Sequence, residues 1–191
     1  RTEPYHHARA QPFFSNLLPE AEIRYLVAKS LGLSENNDFS LLEAIGGECA
    51  GAVSLIPEGT GIPIQGDYKK LNDNALNQLI AKLPTQPMLT GEQDIRLSLA
   101  GAQNKLPVFY NGKEISIPRG AAASSHILKL PIKDYPNTVE NEYFCMQLAK
   151  RIGLNVPETK ILHKVAPLYL ITRYDRILNE QGELIRLPQE D

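Results

Sequence analysis

The sequence predicts an α+β fold in two parts: a small α/β subdomain over residues 1–86, then an antiparallel sheet carrying one main helix over residues 87–191. Three observations carry this reading. Apolar residues recur at helical spacing in separate stretches before residue 84, but in only one stretch after residue 136. The segments beyond residue 90 are short runs rich in β-branched and aromatic residues, bounded by turn formers. One pair of these runs is separated by Asn111-Gly112, the strongest short-range hairpin signal.

The elements follow in order. Ile23, Leu26, Val27 and Ser30 fall on one face of a helix over 19–31, with Gly32 suited to the left-handed residue that closes it. A short helix capped by Asp38 is expected to break at Gly46-Gly47, with an apolar strand over 52–56 and a turn-rich stretch over 57–66. Ala75, Leu76, Leu79, Ile80 and Leu83 mark a helix over 71–83, ended by Pro84 and Pro87. Strands are then predicted over 95–100, 105–110, 114–118 and around His126 to Leu130. The best-marked helix follows Asn137, which with Glu140 makes a capping box; Gly153 and Pro157 stand past its end. Its apolar stripe runs through Val139, Tyr143, Met146 and Ala149, widened by Phe144, Leu148 and Ile152. Two strands within 158–164 and 167–174 and a small hairpin over 178–188 complete the chain.

Composition narrows the function classes. Hydrophobic residues make up 42% and charged residues 22%, an ordinary balance for a globular protein. Twenty Lys and Arg against 22 Asp and Glu leave a net charge of -2, which argues against a surface dominated by nucleic-acid phosphate contacts. No apolar run approaches the length of a membrane span, and the expected location is the cytoplasm. Cys49 and Cys145 are far apart and read as buried free thiols, neither a disulfide framework nor a zinc site. His6, His7, His126 and His163 have no metal-ligand spacing. The chain opens on Arg1, so it reads as a fragment or a trimmed chain.

The order after residue 90 is strand, small-residue loop, strand, strand with a lysine, an acidic-led helix and two more strands. That is the order of the amino-terminal lobe of a protein kinase, where a pliant loop covers nucleotide phosphates and a strand lysine meets them, held by a helix glutamate. Small side chains in "AGAQNK" let backbone N–H groups approach phosphate oxygens. Lys129 is an amine in an apolar strand, and burying it unpaired costs several kcal/mol. Glu142 is the preferred partner, with Glu140 second because it is wanted for capping. Each residue alone has a bland reading: a bulge for the loop, a snorkelling Lys129, a surface pair for Asp175-Arg176. The joint order favours the functional one.

The stretches "PFFSNLLPE", "GAVSLIPEG", "RLSLAGAQNKLP", "HILKLP", "NEYFCMQLAKRIGLNVP", "RYDR" and "RLPQED", in this order, resemble the HipA family of serine/threonine kinases, toxins of bacterial toxin–antitoxin pairs linked to growth arrest and persistence. The resemblance covers nearly the whole chain. It implies a small domain up to about Gln86 packed on a kinase-like N-lobe, with ATP and Mg²⁺ as cofactors. Ser98 takes the place of a serine that the family autophosphorylates just before the phosphate-binding loop, Ala100, Gly101, Ala102, Gln103, Asn104 and Lys105 form that loop, and Lys129 is the nucleotide lysine. Thr172 and Tyr174 flank the adenine, Asp175 lies near the ribose, and Ala50 of the small domain reaches the adenine pocket. Phosphate on Ser98, adding roughly -1.5 to -2 charges, is expected to shut the site.

The resemblance also implies a small helix-turn-helix antitoxin of the HipB type, DNA bound indirectly through it, and an aminoacyl-tRNA synthetase as protein substrate, glutamyl-tRNA synthetase being the family's best-known one. The family's catalytic and metal-binding aspartates belong to a carboxy-terminal lobe that is absent here, so this chain alone is expected to be inactive. A rival class is a non-catalytic module that binds an antitoxin repressor; nucleotide binding that depends on Lys129 separates the two.

Overall fold

The computed structural model describes residues 3–63, 65–92 and 94–189. Three helices, α1 (His7–Ser15), α2 (Ala21–Leu31) and α3 (Asp38–Ile45), build the amino-terminal part. Strand β1 (Gly66–Leu71), helix α4 (Asp73–Lys82) and a 3₁₀ turn at Pro87–Leu89 lead into the sheet. Then come β2 (Lys105–Tyr110), β3 (Ile115–Gly120), β4 (His126–Lys129), α5 (Thr138–Arg151), β5 (Thr159–His163) and β6 (Pro167–Thr172), followed by the ribbon β7 (Arg176–Leu178) and β8 (Leu184–Arg186). Six strands form one antiparallel sheet in the order β1-β3-β2-β4-β6-β5. The α+β class and the lobe of antiparallel sheet plus one main helix are therefore present.

Two hydrophobic cores form. Val27 and Ala28 of α2 meet Leu41, Leu42 and Ile45 of α3 around Leu17, Leu18 and Cys49. The second core lies under the sheet, where Leu76, Leu79 and Leu83 pack on Leu106, Val108, Ile117, Leu128, Leu168 and Leu170. Each such side chain stabilises the fold by about 1.5–3 kcal/mol through its burial. The cores divide the chain between residues 55 and 71, so β1 and α4, which precede Gln86, pack with the sheet.

Several local expectations need correction. Residues 52–56 form no strand: the chain turns at Gly51, in the left-handed region at φ +66°, and runs on as irregular backbone. Residues 95–100 form no ladder strand and make only a single parallel bridge, Leu97 to Glu48, because their backbone partner is Glu48 of the amino-terminal part and not β2. Asn37, not Asp38, caps α3, its side chain accepting from the Ser40 N–H at 3.1 Å. Asn137 makes no side-chain cap; it sits at φ 59°, and Thr138 instead holds the preceding loop by accepting from Ile132 N–H at 3.1 Å. On α5 Val139 is buried and Tyr143, Met146 and Ala149 are half-buried, whereas Phe144, Leu148 and Ile152 are exposed. Cys49 is buried but Cys145 is exposed. The last two residues of the "RLPQED" stretch lie outside the described residues.

Candidate functional site

The small-residue loop sits at the junction of the two cores. Its approach is held by Ser98, whose N–H donates to Glu48 O at 2.9 Å and whose hydroxyl, fully buried, donates to Leu17 O at 2.6 Å. The loop then rests on the amino-terminal part: Gly101 bridges Pro19, and Glu20 N–H donates to Gly101 O at 3.3 Å. Gly101 adopts φ +102°, a conformation that L side chains rarely take, and a Cβ there would stand 2.5 Å from Lys105 Nζ. The loop's far end is tied to β4's continuation, Gln103 Nε2 donating to Leu130 O at 2.8 Å and Leu130 N–H to Asn104 O at 3.1 Å.

Two amines meet beneath this loop. Lys105 on β2 and Lys129 on β4 are directly opposed across the ladder, an arrangement in which like charges repel. Lys129 Nζ pairs with Glu142 of α5 and lies 5.5 Å from the Tyr169 ring centroid. Lys105 Nζ donates only to the Ala100 carbonyl and has no ion-pair partner among the described residues. Burial, then the neighbouring Lys129 charge, hold the Lys105 amine below its ordinary range. Asn104 Oδ1 is buried without a hydrogen-bond partner. Two half-buried cations, one carboxylate and a loop of small side chains make a setting that an anion completes. These residues fit the triphosphate of ATP. Among the described residues no three His, Cys, Asp or Glu side chains gather to hold a metal.

The opposite end of the strand pair leads to residues 172–175. Thr172 Oγ1 lies 3.2 Å from His126 Nε2, and His126 Nδ1 lies 2.7 Å from Ser125 Oγ. Burial, with Lys160 nearby, pushes the His126 pKa down to about 4, so the ring is neutral at pH 7. Tyr174 is 70% exposed. Asp175 is buried with both oxygens engaged: Arg173 donates at 2.9 and 2.6 Å, Arg176 pairs at 2.9 Å, and Gly51 N–H donates at 2.8 Å. Burial raises the Asp175 pKa, but these partners more than offset it and hold it below the usual range. Ala50, half-buried on the first core, is thereby one residue from this segment.

The charged group that sequence reasoning missed is Glu48. It is buried, and three arginines from the far end of the chain converge on it: Arg173 at 3.5 Å, Arg176 at 3.1 Å and Arg186 at 2.5 Å. Ser124 adds its N–H at 2.9 Å and its hydroxyl at 2.6 Å. Burial pushes the carboxyl up, but the guanidiniums of Arg186, Arg176 and Arg173 outweigh it and hold the pKa below the usual range. The available signal was a lone glutamate among small and apolar residues in "IGGECAG".

Comparison with known proteins agrees with this architecture. The description "HipA N-terminal domain" matches residues 1–56, and "HipA-like C-terminal domain" matches 97–191. The protein Y4mE of Sinorhizobium fredii is 40% identical over 198 residues, taking in 100% of this chain and 47% of that protein. The serine/threonine-protein kinase toxin HipA of Shewanella oneidensis is 40% identical over 179 residues, 93% of this chain and 39% of the relative. A solved complex of HipA, HipB and operator DNA from Shewanella oneidensis superposes with a TM-score of 0.72 at 38% identity, covering 91% of this chain and 41% of that one. The chain thus spans less than half the length of these relatives. No helix among the described residues is long and apolar enough to cross a membrane. With both HipA descriptions matched in order and the same fold in a solved HipA, the chain belongs to the HipA family.

Proposed function

We propose that this chain is the nucleotide-holding portion of an ATP- and Mg²⁺-dependent serine/threonine protein kinase that acts as the toxin of a type II toxin–antitoxin pair. The observation that carries this reading is the pair of opposed lysines under the loop, of which only Lys129 has a carboxylate partner. ATP supplies the phosphoryl group that is transferred. Glu142 orients the Lys129 amine, and Lys105 gives up the Ala100 carbonyl to meet the phosphates. The backbone of 100–104 closes over them. Thr172 and Tyr174 bound the adenine, with Ala50 alongside. Asp175, expected near the ribose, has its oxygens taken by Gly51 N–H, Arg173 and Arg176, so it serves this end by holding that segment and not by meeting a ribose hydroxyl directly. Catalytic base and metal ligands are expected outside these residues.

Ser98 is the proposed site of inhibitory self-phosphorylation. Its hydroxyl is reachable only after residues 97–101 release Leu17 and Glu48, and a phosphate cannot return to that buried position without heavy desolvation. A HipB-type antitoxin is the proposed partner, supported by the HipB and operator DNA in the matched Shewanella complex. The test is phosphorylation by the full-length gene product with radiolabelled ATP, beside Lys129→Ala and Ser98→Ala. Label on Ser98 that vanishes in both variants is expected. No ATP binding and no label by the intact protein would favour the non-catalytic antitoxin-binding module.

A further inference from the structure

We propose that Glu48 is a positioning residue for nucleotide binding, fixing the phosphate-side segment and the adenine-side segment relative to each other. The inference rests on the nucleotide-binding reading above.

Its backbone and side chain serve different ends of the site. Glu48 N–H donates to Arg96 O at 2.8 Å and its carbonyl accepts from Ser98 N–H at 2.9 Å, which sets the segment entering the loop. The carboxylate reaches the other way. Oε1 accepts from Arg176 at 3.1 Å and from Ser124 on the connection into β4, and Oε2 accepts from Arg186 Nε at 3.2 Å. Arg173 links the same centre to the adenine end: Nη1 donates to Ser124 Oγ at 3.1 Å, Nη2 to Cys49 O at 3.1 Å, and its fork grips Asp175. Arg176 Nη1 donates to Gly51 O at 3.0 Å, and Asp175 takes the Gly51 N–H, so residues 48–51 are clasped from both sides. Residues 48–51 and 173–176 thus behave as one rigid piece, with a single side chain at its centre.

Geometry makes the arrangement intolerant of slack. A Cβ at Gly47 would meet Arg96 Cβ at 2.8 Å, and one at Gly51 would meet Gln189 N at 2.9 Å, so the backbone on either side of Glu48 is in close contact. Removing the carboxylate leaves Arg173, Arg176 and Arg186 facing one another with only Asp175 to balance them. The guanidiniums then separate, taking the 173–176 backbone with them. A ligand spanning both ends loses its fit.

The experiment titrates the full-length protein calorimetrically with MgATP and with adenosine, comparing wild type, Lys129→Ala, Glu48→Gln and Glu48→Asp well below their melting temperatures. Glu48→Gln is nearly the same shape and keeps an acceptor for Ser124 while losing the charge. It is expected to weaken MgATP by at least tenfold and adenosine measurably, with Glu48→Asp recovering part of the loss. A folded Glu48→Gln that melts earlier but binds both ligands like wild type assigns Glu48 to stability alone and overturns the proposal. Should Glu48→Gln fail to fold, Arg186→Gln, at the more exposed rim of the cluster, decides: about a threefold loss supports the proposal and unchanged affinity overturns it. A wild type that does not bind MgATP, or binds it equally well as Lys129→Ala, overturns the nucleotide reading itself. Intact wild-type binding lost in Lys129→Ala leaves that reading standing whatever Glu48 does.

Discussion

The two ionic centres of this chain are built to opposite specifications. Around Glu48, two carboxylates and three arginines share a buried site, nearly every polar atom is occupied, and the partners come from residues up to 138 positions apart. Around Lys129, two half-exposed side chains 13 positions apart make one ion pair, and a second amine opposite has only a backbone carbonyl. In the first, Arg176 Nε is the buried donor left without a partner among the described residues, and a cluster so nearly filled offers a ligand little and resists rearrangement; its loss is a loss of shape. An unsaturated one holds its fold without tight pairing and gains when an anion arrives. Charge density alone therefore does not mark a binding site. Unspent hydrogen-bonding capacity does.

The sharpest way to break the contrast is Glu48→Ala, which strands three guanidiniums and is expected to destabilise the fold by about 3–5 kcal/mol in urea titrations. A cost under 1 kcal/mol would show that the cluster relaxes into water. Next is Ser98→Ala, which leaves the buried Leu17 carbonyl without its donor and is expected to cost about 1–3 kcal/mol. Thermal melts of the unphosphorylated protein check it, and an unchanged midpoint would mean that the loop is already loose.

A third test uses pH. His126 titrates near 4 when folded against an ordinary 6.5. Between these values the unfolded chain binds the extra proton, so stability falls as the pH drops from 6.5 to 4, by on the order of 1–2 kcal/mol for this partly exposed ring. His126→Gln is expected to flatten that slope. Glu48 and Asp175 add a further decline at lower pH, since their depressed pKa values stabilise the fold above the ordinary carboxylate range and cease to do so as the pH falls through the folded values. The smallest effect on folding is expected from Lys129→Ala, about 0–1 kcal/mol by denaturation, although MgATP affinity drops at least tenfold. A large stability loss here would erase the distinction between the two centres.

Some of this was legible residue by residue. β2 runs from Lys105 to Tyr110 as the apolar run predicts, and Gly153, at φ +89°, closes the long helix. The Lys129–Glu142 pair follows from one strand and the helix after it, since both have strong local patterns. α1 was missed because it contains Pro12 and buries no residue, and β1 because an exposed Gly-Asp-Tyr-Lys-Lys edge carries no alternation. The widened stripe of α5 misled for a related reason: apolar residues mark a face, not whether anything in the chain covers it.

By itself the sequence determined what depends on near neighbours: the elements with clear periodicity, the turn at Asn111-Gly112, the bare loop and the lysine–glutamate pair. Only the tertiary structure decided that Lys105 faces Lys129, that Ser98 is locked under Leu17, and that Glu48 gathers arginines 125 to 138 residues away. The reason is physical. Local patterns follow from backbone sterics and side-chain spacing, whereas the partner of a buried charge is chosen by which distant segments the two hydrophobic cores bring together.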